Sequence, residues 1–212
     1  MFLSFTAYIL IPAYTILFVQ GSNWFTTNFS VIGNLIGRQE EFVLWGLMVG
    51  IYYFWCLRRI VKRMPQKPRG TWLIPLSLVL LTFAITTPYL PKDLPLKAFL
   101  HIIFAFVAAV CLMACLYLIV WKLYQGDRKT YRPYLIGLTG ITLFSSFLLV
   151  LAGIVSSALE IFFTISTVVM VCRLYRKLPS APPSSCAAPG KIRKASPNTL
   201  PPAPASASPP DD

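Results

Sequence analysis

The sequence contains six runs of about 20 mostly apolar residues, and this feature limits the fold more than any other. A helix of that length can cross the hydrocarbon core of a bilayer, because it satisfies its own backbone hydrogen bonds there. The sequence therefore predicts an all-α, polytopic membrane protein with six transmembrane helices. The predicted spans are Leu3–Val19, Phe42–Ile60, Trp72–Leu90, Ala98–Trp121, Tyr134–Leu151 and Ile154–Cys172.

The last two runs are separated by only a few residues around Gly153. A single helix through both would have about 40 residues, twice the number that a bilayer needs. We therefore expect a tight helical hairpin at Gly153. The first run has no Lys or Arg before it and no A-x-A cleavage site after it, so we expect it to be retained as a helix rather than removed as a signal peptide.

Composition and charge exclude an ordinary soluble domain. Hydrophobic residues make up 56% of the 212 and charged residues 12%, whereas soluble domains are about 25% charged. The formal net charge of +12 would indicate nucleic-acid binding in a soluble protein. Here the basic residues lie between apolar runs, so we predict membrane lipids rather than nucleic acid as partners.

The basic residues also predict the orientation of the chain. Sixteen of the 19 Lys and Arg residues follow the second, fourth or sixth run, and only Arg38, Lys92 and Lys97 lie on the opposite side. Cytoplasmic loops carry the excess of Lys and Arg. The sequence therefore predicts a multi-pass protein of the cell membrane with both termini cytoplasmic, which an even number of spans allows.

The composition changes at Leu178. Residues 179–212 hold 10 of the 18 prolines, with Ala and Ser between them and almost no large apolar residues. Such a segment cannot bury enough apolar surface to offset the entropy lost on ordering. We predict a six-helix transmembrane domain at residues 1–177 and a disordered, cytoplasmic, Pro/Ala/Ser-rich tail at residues 178–212.

Several enzyme classes are excluded by missing motifs. His101 is the one histidine in the chain, whereas catalytic zinc sites use two or three histidines, or histidine with carboxylate. The sequence has no H-E-x-x-H, no G-x-x-x-x-G-K-[ST] and no G-x-S-x-G. The cysteines suit apolar packing better than metal binding. We predict no metal site and no cofactor.

Two ionisable residues lie inside or near the apolar runs. We place His101 about one turn, and Glu160 about two turns, from the outer ends of their spans. Ionisable groups at membrane depth are costly and usually face the bundle interior or a water-filled cavity. The alternatives are a protonated or interfacial structural glutamate and an interfacial histidine that bonds a neighbour.

The loop between the first two runs is polar, rich in glycine and aromatic, and the predicted topology places it on the outer side. Its side chains offer hydrogen-bonding groups, and Arg38 suits a phosphate or a carboxylate. An ordered loop without a ligand is the alternative. We predict an outward-facing polar pocket whose ligand-binding residues are Glu160, His101, Arg38, Ser30 and Asn28.

The residues that carry a family resemblance are Ser30-Val-Ile-Gly33 in this loop, Phe42 and Gly46 in the second run, His101 and Glu160. In this pattern the chain resembles uncharacterised bacterial six-helix proteins grouped as a domain of unknown function, which are related to the Frag/DRAM/Sfk membrane family. The resemblance covers residues 1–177 in topology. It implies lipid handling or membrane trafficking. Members often carry an acidic residue beside the loop serine, where this chain has Phe29.

The function we expect is non-enzymatic: a membrane protein that binds a lipid headgroup or a small ligand in the outward-facing pocket. One alternative is an intramembrane lipid-modifying enzyme that uses Glu160 and His101 as an acid/base pair. Its nucleophile would be a serine, but no serine has a base at a convincing spacing. Another alternative is a small transporter that works as a homo-oligomer, although no internal repeat is visible.

Overall fold

The computed structural model describes residues 2–64 and 66–178. All regular structure in these residues is helical, which confirms the predicted all-α class. The described helices are α1 (Phe2–Phe18), α2 (Phe29–Asn34), α3 (Gln39–Arg63), α4 (Leu73–Thr86), α5 (Pro95–Gly126), α6 (Arg128–Ala152) and α7 (Ser157–Lys177). The predicted tail, apart from Leu178, lies outside the described residues.

Each of the six apolar runs forms a helix, and α2 is an additional short helix in the first connection. Four helices are long and apolar enough to cross a membrane: α3, α5, α6 and α7, with 25, 32, 25 and 21 residues. α1 and α4 are apolar but shorter. The described residues therefore include four helices that are candidates for membrane spans, and the number of crossings stays a prediction.

α4 ends earlier than the third predicted span, at Thr86 instead of Leu90. The cause is Pro88, because a residue that precedes proline is pushed out of the helical region. Thr87 accordingly has an extended backbone, with φ −85° and ψ 120°. The carbonyl group of Thr87 is therefore free to accept a hydrogen bond from another part of the chain.

The hairpin predicted at Gly153 is confirmed. Gly153 ends α6 with a left-handed φ of 67°, a conformation that glycine adopts without steric cost. Ser156 then begins α7, since its hydroxyl oxygen accepts a hydrogen bond from the backbone N–H of Leu159. Because α7 begins after Ile154, Glu160 lies in its first turn, and our expectation of two turns of depth is wrong.

An aromatic cluster, which we define as Phe18, Phe29, Phe42 and Trp45, joins α1, α2 and α3. The Phe29 ring meets those of Phe18 and Trp45 edge to face, with centroids 5.3 and 4.7 Å away, an arrangement that aromatic quadrupoles favour. Gly33 lies against Phe42 so closely that a Cβ atom there would be 2.8 Å from the Cβ of Phe42. α2 is thus held firmly on the first turns of α3.

Two tyrosines of α3 fix the position of α7. The Tyr52 hydroxyl donates to the carbonyl oxygen of Val168 at 3.0 Å, and the Tyr53 hydroxyl lies 2.6 Å from Oγ1 of Thr167. Glu160 precedes Thr167 by seven residues, which is two helical turns, so both lie on the same face of α7. Glu160 is therefore on the face that α7 turns toward the bundle.

Candidate functional site

The candidate site is built on α2, which begins at Asn28. The side-chain oxygen of Asn28 accepts a hydrogen bond from the backbone N–H of Val31 at 2.8 Å. This satisfies one of the four N–H groups that a helix start leaves without a partner. Asn28, one of the predicted ligand-binding residues, thus positions the residues that follow it.

Glu160, which lies far from α2 in the sequence, caps the same helix start. Its Oε2 atom accepts a hydrogen bond from the backbone N–H of Phe29 at 2.7 Å. A carboxylate is well suited to this position, since the N-terminus of a helix carries partial positive charge. Glu160 therefore has a loop group within hydrogen-bond reach, as expected for a residue that faces the bundle.

The backbone N–H groups at the start of α7 find their acceptors in the connection between α1 and α3. The backbone N–H groups of Ser157 and Ala158 donate to the carbonyl oxygens of Thr27 and Trp24, at 2.7 and 2.8 Å. The hydroxyl of Ser157 donates to the same Thr27 oxygen at 3.0 Å. The starts of α2 and α7 therefore cap each other, although the two helices lie far apart in sequence.

Ser30, the second residue of α2, meets His101 of α5. Their Oγ and Nε2 atoms are 2.5 Å apart. The other ring nitrogen of His101, Nδ1, lies 2.8 Å from the carbonyl oxygen of Thr87, the residue released from α4 by Pro88. Ser30 is 9% exposed and His101 is 1% exposed, so the three groups form a chain of hydrogen bonds inside the protein.

Sequence reasoning missed Thr87, although a signal was present. Pro88 predicts that the preceding residue leaves the helix, and a carbonyl released in this way needs a donor. What the sequence could not show is that the donor is His101, in the next helix. We refer to Asn28, Ser30, Thr87, His101 and Glu160 as the polar cluster.

Arg38 lies apart from the polar cluster. Its Nη1 donates to the carbonyl oxygen of Phe18 at 2.7 Å, at the end of α1. Its Nε forms an ion pair with Glu41 at 3.4 Å, and its guanidinium group lies 5.3 Å from the centre of the Phe18 ring. These contacts suit a cation at a helix C-terminus. In the described residues Arg38 holds α1 against α3, and it makes no hydrogen bond to Glu160 or His101.

Glu160 and His101 also do not pair with each other in the described part of the chain. Glu160 bonds the backbone of Phe29, whereas His101 bonds Ser30 and Thr87. The acid/base pair that we considered from the sequence stays a prediction, and the side chain that His101 contacts is Ser30. The Ser30 hydroxyl, which has no base at a convincing sequence spacing, lies next to a histidine in three dimensions.

An apolar groove of about 360 Å³ lies between α6 and α7. Its lining includes Trp24, Phe144, Leu148, Ala158, Phe162 and Ser166. Because Ala158 and Phe162 lie on the side of α7 away from Glu160, the groove is separate from the polar cluster, and none of the five predicted ligand-binding residues lines it. Trp24 connects it to the first loop.

A second open groove, of about 770 Å³, lies where α5 meets α6. Its polar lining includes Tyr124 and the exposed basic residues Arg128, Lys129 and Arg132. These basic residues belong to the segment that we predict to be cytoplasmic. No residue of the polar cluster lines this groove, and the residues that do line it are well separated from the cluster in the sequence.

By its fold and its site, the described chain is an all-α protein of the membrane class. It carries a buried Ser–His pair at one end of its helices. In residues 2–64 and 66–178, no group of three or more metal-binding side chains comes together. Comparison with protein-family models, with curated proteins and with solved structures finds no match for this chain. The resemblance to the Frag/DRAM/Sfk proteins stays a prediction.

Proposed function

We propose that the chain crosses the cell membrane six times, with both termini in the cytoplasm. The charge asymmetry of the connections supports this topology. Basic residues end α3 and α7, at Lys62 and Arg63 and at Arg176 and Lys177. The polar cluster lies at the opposite ends of the same helices, which corresponds to the outer side.

The short helix α4 fits this topology when the segment after it is included. Its 14 residues span about 21 Å at 1.5 Å per residue, less than the roughly 30 Å of a hydrocarbon core. Residues 87–90 follow it without helical structure, and four residues in an extended conformation would add at most about 13 Å. Non-helical backbone is tolerated at that depth only where other parts of the protein cover it and hydrogen-bond its N–H and carbonyl groups. The hydrogen bond from His101 to the Thr87 carbonyl provides one such partner.

On this topology we propose that the protein binds a membrane lipid through the groove between α6 and α7. The observation that carries the proposal is the groove itself: it is apolar, it is open, and it lies between two helices of membrane-spanning length. An acyl chain is the apolar ligand that surrounds such a surface in a bilayer. Trp24, at the outer end of the groove, belongs to a residue type that favours the headgroup level.

The loop above the groove supplies groups for a headgroup. Asn23 accepts hydrogen bonds from the backbone N–H groups of Phe25 and Thr26 through Oδ1. Its amide N–H groups make no hydrogen bond within residues 2–64 and 66–178, and they can donate to a headgroup. Asn23 and Thr26 are exposed beside Trp24. We propose that the headgroup lies against this turn, which moves the lipid site away from Glu160, His101, Arg38, Ser30 and Asn28.

Retention of lipid through purification tests this proposal. We expect native mass spectrometry of the purified chain to detect a bound phospholipid that survives detergent exchange. The substitutions Ala158→Phe and Ser166→Phe fill the groove and should lower lipid occupancy at least about 10-fold, the effect of 1.4 kcal/mol. Val150→Phe is the matched control, because Val150 lies on α6, is 82% exposed and does not line the groove.

Equal lipid occupancy in Ala158→Phe and in Val150→Phe would show that the groove does not hold the lipid. A purified chain without any bound lipid would contradict the proposal as a whole. The homo-oligomeric transporter and the Glu160/His101 acid/base enzyme stay predictions from the sequence, and neither has a further observation in its favour.

A further inference from the structure

The tautomer of His101 follows from its two partners. The carbonyl oxygen of Thr87 can only accept a hydrogen bond, so Nδ1, 2.8 Å away, must carry the proton. In a neutral imidazole Nε2 then has a lone pair and accepts. The hydroxyl group of Ser30, 2.5 Å from Nε2, is therefore the donor of this hydrogen bond.

Ser30 is held in place from several directions. Asn28 caps the helix on which Ser30 lies, and Glu160 accepts from the backbone N–H of the residue before Ser30. One turn later, Gly33 packs against Phe42.

His101 is also fixed. Its partners are the Thr87 carbonyl and the rings of Phe42 and Tyr89, whose centroids lie 6.2 and 5.6 Å from its own. Groups positioned in this way lose little freedom when they react.

We propose that Ser30 and His101 form a nucleophile–base pair that hydrolyses a carboxylic ester, with Thr87 as a positioning residue. The arrangement has the three parts of an activated serine: a hydroxyl, a base within hydrogen-bond reach, and a third group that orients the base. Here a backbone carbonyl takes the place of a carboxylate. This activity goes beyond the proposed lipid binding and does not rest on it.

The reaction would proceed in two balanced steps. In the first, Ser30 Oγ attacks the ester carbonyl carbon and its proton passes to His101 Nε2. The bond to the alcohol then breaks, the alcohol leaves with that proton, and the acyl group remains on Ser30 as an ester. In the second, a water molecule attacks the acyl carbon, gives its proton to Nε2, and releases the carboxylic acid while Ser30 Oγ regains a proton.

Ser30 also has a free donor for the oxygen of the attacked carbonyl. Its own backbone N–H makes no hydrogen bond in the described part of the chain. A backbone N–H next to the nucleophile is a common source of stabilisation for the negative charge that develops on that oxygen. Ser30 keeps 9% of its surface exposed, and the proposal requires that an ester carbonyl reach Oγ there.

A fluorophosphonate probe on the full chain tests the proposal. The probe forms a stable bond to an activated serine oxygen and loses fluoride. We expect stoichiometric labelling of the wild-type protein in detergent or nanodiscs, and mass spectrometry of the labelled peptide should place the adduct on Ser30. Ser30→Ala should abolish labelling, whereas Ser77→Ala should not, since Ser77 is a buried serine that bonds only its own helix.

His101→Gln separates a catalytic pair from a structural one. A glutamine amide can donate to the Thr87 carbonyl and accept from the Ser30 hydroxyl, but it is not a base. A catalytic role predicts a folded variant whose labelling, and whose hydrolysis of p-nitrophenyl butyrate, is slower by about 10²- to 10⁴-fold, the usual contribution of a general base.

Three results would overturn the proposal: no labelling of the wild-type protein, an adduct on another serine, or equal labelling rates for His101→Gln and the wild-type protein. If Ser30→Ala does not fold, the mapped adduct and His101→Gln still decide the question. Because the probe is small and water-soluble, labelling does not require a lipid in the groove. Failure of the lipid proposal and failure of this one are therefore distinguishable.

Discussion

The carboxylate of Glu160 accepts a hydrogen bond from the backbone N–H of Phe29, 131 residues earlier in the chain, at 2.7 Å. This bond ties the first connection of the protein to the first turn of its last helix. It lies beside the hydrogen bonds that Thr27 and Trp24 accept from the start of α7. Glu160 therefore has a defined structural partner in α2.

The first prediction concerns that bond. Glu160→Leu should be less stable than Glu160→Gln by about 1–3 kcal/mol, because only glutamine can still accept from the buried N–H of Phe29. Neither variant can ionise at this position, so the difference between them reports mainly on the hydrogen bond. Unfolding of the purified variants in mixed detergent and SDS micelles measures it. Equal stabilities would mean that the Phe29 N–H finds another acceptor.

The second prediction concerns the packing of α2 on α3. Gly33→Ala should destabilise the protein by about 1–3 kcal/mol, because its Cβ would lie too close to Phe42 and α2 would have to move. Gly140→Ala is the matched control. It is predicted to be stabilising by about 0.5–1 kcal/mol, since the site in α6 is open and alanine favours a helix. Similar effects of the two substitutions would argue against the close contact.

The third prediction concerns topology. Reporter fusions after Lys62 and after Arg193 should both report a cytoplasmic location, and a fusion after Asn28 should report an external one. The reason is the uneven distribution of the 19 basic residues. An external signal after Arg193 would contradict the six-span topology. A new topology would then have to start from the four helices of spanning length.

The fourth prediction concerns the end of the helical domain. Truncation after Leu178 should leave the melting temperature unchanged, because the composition of the residues beyond it gives them little apolar surface to bury. Truncation after Lys177 should lower it, since this also removes the side chain of Leu178, which is 4% exposed. Burial of a leucine contributes about 1.5–3 kcal/mol. A comparable loss on truncation after Leu178 would show that the tail packs on the helices.

The helices could be predicted from the sequence because their causes are local. The apolar runs and Gly153 in the last hairpin each act within a few residues. The predicted boundaries are less accurate where turn chemistry overrides hydropathy. Pro88 ends α4 at Thr86 although the apolar run continues to Leu90, and the cap at Ser156 moves Glu160 into the first turn.

The candidate site depends on contacts between distant residues, and here the sequence is a weaker guide. It indicates Glu160 and His101 as site residues, because ionisable groups at membrane depth are costly. It also indicates Arg38, Ser30 and Asn28, because the first loop offers hydrogen-bonding groups on the same side. It does not predict their partners. Arg38 has the charge to pair with Glu160, yet its position after α2 places it at the end of α1, where it bonds Phe18.

The sequence by itself determined the helical class and the positions of the apolar helices, and it predicts the orientation of the chain. These properties depend on hydropathy, charge and turn residues, which act locally or by simple summation along the chain. Only the tertiary structure decided that Ser30 meets His101, 71 residues away, and that His101 is oriented by Thr87. The physical reason is that a hydrogen bond requires two atoms within about 3 Å, a condition that helix packing sets and sequence spacing does not.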